Sequence, residues 1–441
     1  MIPRIRPYFT DNYFNAFSSF DPDISRSEYS RELSKALQNY YPKAKKFGFF
    51  NYGRTSLGVG LDVLNIRKND EIIVPDFTCS TILDPILKRG IIPKLVDINF
   101  DFSMDINQVK SKITQNTKAI LVTHFFGIPA NLLEIKKIAN THNLNIIEDC
   151  AHTFCHQTAH GPGSIGDIAF TSLGNDKPLS IGNGSVLILN NIDKTGILDN
   201  IMSTLPIESE YNEKCSFLSL ACFQYATDPI RYNAFIGVYD FYLYIKNNPQ
   251  LFQSNIDSII QNQKIELIFK NFKEDRKNNN HFNNKIQKIY NFFKRITNLQ
   301  PFEKIDPKLM NSISLHLLLK TLSEMDQVNK SRIKKGRQYI DNLCDNTDLI
   351  IPQSRYVPYL RYSILCKKPE YTPMLLKKLR SKNFEVGNFN WGQPLSKILR
   401  VKEKFETSEY ICKNIVNLPC YPSLNDIEID KITQILKKFV N

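Results

Sequence analysis

Three short apolar segments follow one another in the middle of the chain, at residues 145–147, 168–170 and 186–189. Each segment is bounded by polar or glycine-rich sequence. Short apolar runs between such loops are typical of buried strands in a parallel or mixed sheet. The stretch 144–189 therefore predicts strands that follow one another closely, and it constrains the fold more than any other part of the chain.

Polar side chains mark the ends of these predicted strands. Asp149 closes the first segment, Ser172 follows the second, and Lys177 lies in the loop 174–178 that leads to the third. In open α/β sheets, ligands bind outside the carboxyl ends of the strands. A lysine amine forms a Schiff base with a carbonyl cofactor, and pyridoxal phosphate (PLP) also requires an acid at its ring nitrogen and donors for its phosphate. The spacing alone is also consistent with a different interpretation, in which Lys177 is a solvated loop residue beside a strand-end acid.

Three motifs in this stretch resemble a known enzyme family. E-D-C-A-H-T begins at Glu148, G-S-I-G-D-I-A-F-T-S-L begins at Gly163, and D-K-P-L-S-I-G-N-G begins at Asp176. In this order they resemble the core of the DegT-type (DegT/DnrJ/StrS) sugar aminotransferases, which are PLP enzymes of fold-type I that aminate nucleotide-linked keto-sugars. The resemblance implies that Lys177 binds the cofactor and shuttles protons. It also implies that Asp149 stays ionised against the pyridinium nitrogen.

A phosphate site is predicted at the turn 53–55. Apolar residues at helical spacing predict a helix that opens just after Gly53, and helix N-termini bind phosphate through free N–H groups and the helix dipole. The resemblance implies that this turn and Ser172 hold the cofactor phosphate. Where the family has Gly-Thr, this chain has Gly53 and Arg54, and Thr55 follows. All three residues of the turn are therefore candidate cofactor-binding residues.

Two further cofactor contacts are predicted from the resemblance. Cys79 stands where the family has an aromatic residue that stacks on the cofactor ring, and a thiol cannot stack in that way. Either a neighbour such as Phe77 covers this face of the ring, or the ring is held less tightly. His152 occupies the place of a glutamine that lies near the cofactor in the family, and an imidazole can keep a hydrogen bond there.

Two other motifs carry less weight. Residues 161–166 fit G-x-G-x-x-G, but they contain Pro162 and lead into a strand, so a loop is predicted and not a dinucleotide site. His152, His156 and His160 recur at four-residue steps, which would suit zinc on a helix. The glycine and proline residues that follow disfavour such a helix, and no metal site is predicted.

Alternating strands and helices predict an α/β fold. Strands are predicted within 70–80, 90–98 and 119–124, and helices near 27–38 and over 132–142. This rhythm indicates a doubly wound, mainly parallel central sheet flanked by helices, which is the fold-type I architecture that the resemblance implies.

Three regions are predicted along the chain. Residues 1–205 form an N-terminal segment and the large PLP-binding domain, and residues 206–300 form a helical insertion that is atypical of the family. Residues 301–441 supply linking helices and a smaller α+β C-terminal domain. Within the last two regions, helices are predicted over 217–225, 233–246, 310–328, 332–343 and 426–439, and strands over 357–365 and 384–386.

The net charge and the cysteine content indicate which kinds of partner and compartment to expect. Lys+Arg 57 against Asp+Glu 44 give a net charge of +13, with lysines spread through the second half and no compact track of arginines and aromatics. This distribution indicates an anionic small-molecule substrate and no nucleic acid. Nine cysteines without paired spacing indicate a reduced, cytoplasmic protein. Neither a signal peptide nor an integral membrane segment is predicted.

The sequence therefore predicts a PLP-dependent aminotransferase that acts on a nucleotide-linked keto-sugar in polysaccharide or amino-sugar biosynthesis. The resemblance implies glutamate as the amino donor and a homodimer with shared sites. A dehydratase of the same family would carry a histidine in place of Lys177. A cofactor-binding but non-catalytic regulator stays open because of Arg54, Cys79 and the sequence D-P-K at 306–308, where the family has an Asn-x-Arg turn. A third alternative is a protein that binds anionic or membrane surfaces through its basic second half.

Overall fold

The computed structural model describes residues 2, 6, 13–156, 161–226, 306–346, 348–387 and 393–440. The strands of the N-terminal half form one sheet and are β1 (Lys46–Phe50), β2 (Glu71–Pro75), β3 (Ile92–Val96), β4 (Thr117–Thr123), β5 (Asn145–Asp149), β6 (Ile168–Phe170) and β7 (Ser185–Leu189). They lie in the order β1-β7-β6-β5-β4-β2-β3. Neighbours from β6 to β3 pair in parallel, whereas β7 runs antiparallel to β6 and β1. The predicted α/β fold with a mainly parallel sheet is confirmed.

Helices connect and cover these strands. In the N-terminal half they are Tyr13–Ser18, Arg26–Gln38, Gly53–Val63, Leu83–Lys88, Ile106–Lys112, Leu132–His142, Thr195–Thr204 and Glu210–Ala226. Ser25, Asp105 and Asn131 each accept a backbone N–H at a helix N-terminus, as short polar side chains do at this position. The predicted helices near 27–38 and over 132–142 and 217–225 are confirmed.

The helix Gly53–Val63 packs tightly on the sheet. A Cβ atom at Gly60 would lie 2.3 Å from Cδ1 of Ile168, so glycine permits the close approach to β6. At the first residue of the helix, a Cβ atom on Gly53 would lie 3.1 Å from the carbonyl oxygen of Thr171. The tight packing therefore fixes the helix N-terminus beside the carboxyl end of β6. The prediction of a helix that opens at Gly53 is confirmed.

The C-terminal part contains a smaller antiparallel sheet. Its strands are β8 (Leu349–Ile350), β9 (Arg361–Cys366) and β10 (Ile415–Pro419), in the order β10-β9-β8. The helices of this part are Ser312–Leu322, Met325–Leu343, Tyr371–Ser381, Leu395–Leu399, Glu406–Asn414 and Asp426–Val440. The smaller α+β unit and the predicted closing helix over 426–439 are present.

The structure corrects the predicted helix over 310–328. The chain forms two helices, Ser312–Leu322 and Met325–Leu343, with a break at residues 323–324. The hydroxyl of Thr321 donates to the carbonyl of Leu317, and that of Ser323 donates to the carbonyl of Lys320. Hydroxyl bonds of this kind compete with the regular backbone bonds of a helix, and they lie here at the end of the first helix.

The two strands predicted in the C-terminal domain also differ from the structure. The predicted strand over 357–365 is regular only from Arg361 onward, because the N–H of Leu360 donates instead to the carbonyl of Phe126. Within the predicted strand over 384–386, the described residues form one isolated bridge, between Phe384 and Ile2. There the guanidinium of Arg380 donates to the carbonyl of Val386, which removes that acceptor from a ladder.

Several expectations concern residues that the structure does not describe. The predicted helix over 233–246 and the region boundary at 300 lie outside the described ranges. The division of the chain at 205 and 300 stays a prediction. In the described part of the chain, no helix combines the length and the apolar character that crossing a bilayer requires.

Candidate active site

A cavity of about 320 Å³ lies at the carboxyl ends of β2, β4, β5 and β6. This volume is within the range of small-molecule sites. Seven of the eight predicted site residues line the cavity, namely Gly53, Arg54, Cys79, Asp149, His152, Ser172 and Lys177. Residues from one helix N-terminus, several strand ends and the loop 174–178 are thus brought together at the edge of the sheet where ligands of α/β folds bind.

Asp149 is the last residue of β5 and is almost completely buried. Its Oδ1 atom accepts a hydrogen bond from the N–H of Ala151 at 3.0 Å. Burial raises the pKa of Asp149 above its ordinary value, while this hydrogen bond and the charge of Lys177 act in the opposite direction. The carboxyl group is therefore suited to a cationic partner inside the cavity.

Lys177 extends into the cavity beside an imidazole. Its Nζ atom lies 3.2 Å from Nε2 of His152, and its side chain is only 14 % exposed. The Nδ1 atom of His152 accepts a hydrogen bond from the N–H of Phe126 at 3.2 Å. A neutral imidazole that accepts at Nδ1 carries its proton on Nε2. The ring therefore presents an N–H to the lysine nitrogen.

The imidazole of His152 is held in its neutral form. Burial lowers the pKa of His152 well below its ordinary value, and the positive charge of Lys177 lowers it further. The ring also stacks on Phe126, with centroids 5.9 Å apart and an interplanar angle of 22°. His152 is therefore a fixed neutral hydrogen-bonding group and not a positively charged one.

An ion pair flanks Lys177 on its own loop. The Oδ2 atom of Asp176 accepts a hydrogen bond from Nη2 of Arg361 at 2.8 Å, and its Oδ1 atom lies 3.7 Å from Nζ of Lys177. The side chain of Asp176 is partly buried and 38 % exposed, and this burial acts to raise its pKa, but the charges of Lys177 and Arg361 outweigh it and hold the pKa well below its ordinary value. Asp176 is thus an anion at neutral pH.

The opposite wall of the cavity offers anion-binding groups. Gly53 and Arg54 begin the helix Gly53–Val63, whose first N–H groups have no partner within the helix. The guanidinium of Arg54 lies 5.5 Å from the ring centroid of Tyr52, and it forms no ion pair with any described residue. The hydroxyl of Ser172 likewise makes no hydrogen bond within the described part of the chain. These groups can together hold a phosphate.

The model of the DegT/DnrJ/EryC1/StrS aminotransferase family matches residues 21–203 and 308–437. The chain belongs to this family. The match covers more than half of the chain, on both sides of an unmatched central stretch. The family predicted from the three central motifs is thereby confirmed.

Several individual relatives match shorter stretches of this chain than the family model does. It is 34% identical to the GDP-perosamine synthase of Escherichia coli O157:H7 over 145 residues, which are 32% of this chain and 39% of that protein. It is 37% identical over 139 residues to UDP-N-acetyl-3-dehydro-alpha-D-glucosamine 3-aminotransferase of Acidithiobacillus ferrooxidans, covering 31% of this chain and 38% of that protein. These matches thus span about two fifths of each relative. A Methanocaldococcus jannaschii protein, MJ1066, matches at 23% identity over 100% of this chain and 98% of its own length.

Solved structures confirm the fold of the family. The aminotransferase TlmJ of Streptoalloteichus hindustanus superposes with a TM-score of 0.70 at 13% identity, over 100% of this chain and 98% of that chain. The GDP-4-keto-6-deoxy-D-mannose-3-dehydratase of E coli with bound hydrated PLP gives 0.68 at 17% identity, over 99% of each chain. At these identities the likeness concerns the fold, and both amination and dehydration are found on it.

Two residues that were expected near the cofactor, Thr55 and Phe77, do not line the cavity of this family member. Thr55 does not line the cavity, because its hydroxyl turns inward and donates to Oδ1 of Asn51 at 2.8 Å. Phe77 does not cover the cavity at Cys79. It is completely buried in an aromatic cluster, with its ring centroid 5.2 Å from that of Phe125. Cys79 itself lines the cavity, whereas Phe77 does not.

The glycine-containing loop 161–166 has a structural role in this family member. Its N–H groups at Gly163, Ile165 and Gly166 donate to the carboxylate of Glu148, which also contacts Nε2 of His124 at 3.0 Å. Burial opposes ionisation of Glu148, but these hydrogen bonds hold its pKa below its ordinary value. The prediction of a loop at residues 161–166 is confirmed.

The histidine motif does not lie on a helix. Residues 151–156 form turns, and His160 lies outside the described residues. A different buried group, His124, Glu148 and Cys150, has ligand atoms within 4.8 Å of one another. The carboxylate of Glu148 is already occupied by the N–H groups of the loop 161–166, so hydrogen bonding accounts for this group without a metal.

Sequence reasoning missed the pair of Asp176 and Arg361. Asp176 was visible as the residue before Lys177, and its charge was the only local signal. Arg361 begins β9 and is 185 residues away in the sequence. Only the packing of the smaller sheet against the loop 174–178 brings the two side chains together.

Proposed function

We propose that this chain is a PLP-dependent aminotransferase whose substrate is a keto-sugar linked to a nucleotide. The observation that carries the proposal is the presence of Lys177, Asp149 and the helix N-terminus at Gly53 in one cavity. The substrate class is supported by the names of relatives, which contain a GDP-linked sugar in one case and a UDP-linked sugar in the other.

The described residues fit PLP in two respects. Asp149 is a buried carboxyl group with a raised pKa, and a protonated ring nitrogen placed against it would stabilise its ionised form. Separately, the N–H groups of the helix that begins at Gly53 and the hydroxyl of Ser172 are available for a phosphate, and Arg54 adds a positive charge. One solved structure of the same fold contains bound PMP, the amine form of the cofactor, and another contains bound hydrated PLP, which supports the same cofactor here.

Bound PLP supplies an electron-withdrawing ring that stabilises negative charge on the carbon next to the amine. The residues of this chain do the remaining work. Lys177 would hold the cofactor through its amine, and its Nζ atom would serve as the base that moves protons within the cavity. Asp149 would face the ring nitrogen as an anion, and Ser172 and Gly53 would hold the phosphate.

The finer parts of the proposal concern donor, assembly and location. Glutamate is the proposed amino donor, although one relative is named L-glutamine:scyllo-inosose aminotransferase, from Streptomyces griseus. That relative is 30% identical over 176 residues, which are 38% of this chain and 40% of that protein. We also propose a cytoplasmic homodimer that contributes to polysaccharide or amino-sugar biosynthesis, in line with the family resemblance and the unpaired spacing of the cysteines.

A substrate panel tests the proposal. The full-length protein with PLP is incubated with GDP- and UDP-linked 3-keto- and 4-keto-sugars and with glutamate or glutamine, and the products are analysed by mass spectrometry. We expect an amino-sugar from at least one combination. Lys177→Ala should abolish its formation, whereas Lys137→Ala, at an exposed position on the helix Leu132–His142, should not.

Other products would decide for the alternatives. A deoxygenated sugar without a new amine would indicate a dehydratase. Stable PLP binding without turnover of any keto-sugar would favour the non-catalytic regulator. Binding to anionic vesicles that is lost at high salt, with no PLP binding, would favour the surface-binding alternative.

A further inference from the structure

Arg361 connects the smaller sheet to the loop that carries Lys177. It is the first residue of β9, and its side chain is only 2 % exposed. From there its Nη2 atom donates to Oδ2 of Asp176 at 2.8 Å. The other oxygen of the same carboxylate faces Nζ of Lys177 at 3.7 Å. One carboxylate is therefore shared between a buried arginine and the candidate nucleophile.

The remaining groups around the lysine nitrogen come from several elements. The Nε2 atom of His152, in the turn after β5, lies 3.2 Å from Nζ of Lys177. The charge of Lys177 also acts to lower the pKa of Asp149 at the end of β5. Arg54 lines the same cavity from the helix Gly53–Val63. From the helix Met325–Leu343, the buried Arg332 donates to the carbonyl of Pro178 at 3.4 Å.

These neighbours act on the lysine in opposite directions. An anion within about 4 Å favours the ammonium form of a lysine, typically by 1–3 pH units. The free amine is the form of a lysine that attacks a carbonyl. Asp176 without compensation would therefore weaken the nucleophile. Arg361 withdraws part of this negative charge through its own hydrogen bond to Asp176.

We propose that Asp176 and Arg361 act as one charge-balanced unit that sets the proton affinity of the Lys177 nitrogen. Arg361 is a positioning residue in this account, because it acts on Lys177 only through Asp176. The inference rests on the proposed function for its purpose, since a free amine is useful only where a carbonyl must be captured. The charge balance itself is a property of the chain without any cofactor.

The two charges predict shifts of opposite sign. Arg361→Gln leaves Asp176 uncompensated, so the apparent pKa of Lys177 should rise by about one unit. Asp176→Asn removes the anion but keeps a hydrogen-bond acceptor for Arg361, so the apparent pKa of Lys177 should fall by about one unit. The double variant carries neither charge and should titrate close to the unmodified protein.

Competitive labelling measures this titration directly. The full-length chain without cofactor is treated with trace acetic anhydride over a range of pH, and the acetylation of Lys177 is measured by peptide mass spectrometry. Arg89→Gln is the matched control. The Nη2 atom of Arg89 lies 2.6 Å from Oδ2 of Asp62, and neither residue lines the cavity. This control should leave the titration of Lys177 unchanged.

A structural role and a charge role give different results. Circular dichroism would reveal a loss of folding in either variant. In that case Arg361→Lys and Asp176→Glu, which keep the charges, are compared with the unmodified protein instead. In both of these variants Lys177 should titrate near its pKa in the unmodified protein. Shifts of the same sign in Arg361→Gln and Asp176→Asn, or no shift in either, would overturn the proposal. Failure of the chain to bind PLP would count against the proposed function alone, because this titration uses no cofactor.

Discussion

The Nε2 atom of His152 lies 3.2 Å from Nζ of Lys177, and the backbone N–H of Phe126 occupies the other ring nitrogen of the same histidine. The backbone thus selects the tautomer, and the tautomer selects the group that faces the lysine. This contact joins a residue of the turn after β5 to the loop 174–178 and gives His152 a role that its position in the sequence alone did not reveal.

The contact predicts slower capture of PLP when the imidazole is removed. His152→Ala should reduce the rate at which Lys177 captures PLP at neutral pH by up to about tenfold, the worth of one hydrogen bond of about 1.4 kcal/mol. Stopped-flow absorbance measures this rate. His152→Gln can still present an N–H and should retain most of it, so equal losses in both variants would contradict the assigned role.

Asp149 should affect turnover more than attachment of the cofactor. Asp149→Asn keeps the size of the side chain and its contact with Ala151 but removes the negative charge that holds a proton on the ring nitrogen. We expect kcat to fall by about a hundredfold or more, as when other charge-stabilising groups are removed, while Lys177 still binds PLP. Parallel measurement of kcat and of bound PLP checks this, and an unchanged kcat would exclude the role.

The thiol of Cys79 should report occupancy of the cavity. Cys79 lines the cavity and is partly accessible, whereas Cys344 is exposed at the end of the helix Met325–Leu343. PLP should therefore slow the alkylation of Cys79 by several-fold or more, and it should leave the alkylation of Cys344 unchanged. Peptide mapping after iodoacetamide treatment measures both sites in one sample. Equal rates at Cys79 with and without PLP would place the cofactor elsewhere.

Stability should depend on the ionisation of Glu213. This buried residue receives a hydrogen bond from the hydroxyl of Ser314, yet burial raises the pKa of Glu213 to about 7. Because the folded state binds the proton more tightly than the unfolded state, the contribution is fully present at acidic pH. It is lost as the pH rises from the unfolded value of about 4.5 through 7, at a cost of about 3 kcal/mol.

A glutamine at this position isolates the effect. Glu213→Gln removes the titration but keeps an acceptor for Ser314, so the variant should gain stability relative to the unmodified protein as the pH rises from 5 to 8. Denaturant unfolding at several pH values measures the difference. A constant difference over this range would show that Glu213 does not titrate with a raised pKa.

The sequence predicted those parts of the site that depend on short-range order. Asp149 ends one strand, and Ser172 and Lys177 come soon after the next. Because parallel strands place their carboxyl ends at one edge, local spacing was enough to bring them together. The helix that opens at Gly53 was predictable for the same reason, because apolar periodicity is a local property.

Long-range packing set the remaining features. Arg361 reaches Asp176 only because the smaller sheet packs against the loop 174–178, and no local signal records that contact. Leu360 leaves the predicted strand because Phe126, far away in the sequence, supplies its acceptor. Thr55 faces Asn51 and not the cavity, a choice of side-chain direction that helical spacing does not determine.

The most direct test of the account is to locate the covalent attachment of PLP. The full-length protein is mixed with PLP, its visible spectrum is recorded, and the mixture is reduced with borohydride and digested for peptide mapping. We predict a visible band that disappears on reduction and a phosphopyridoxyl group on Lys177, both absent in Lys177→Ala. Attachment at another lysine, or an unchanged adduct in Lys177→Ala, would contradict the central claim that this loop lysine is the nucleophile of the site.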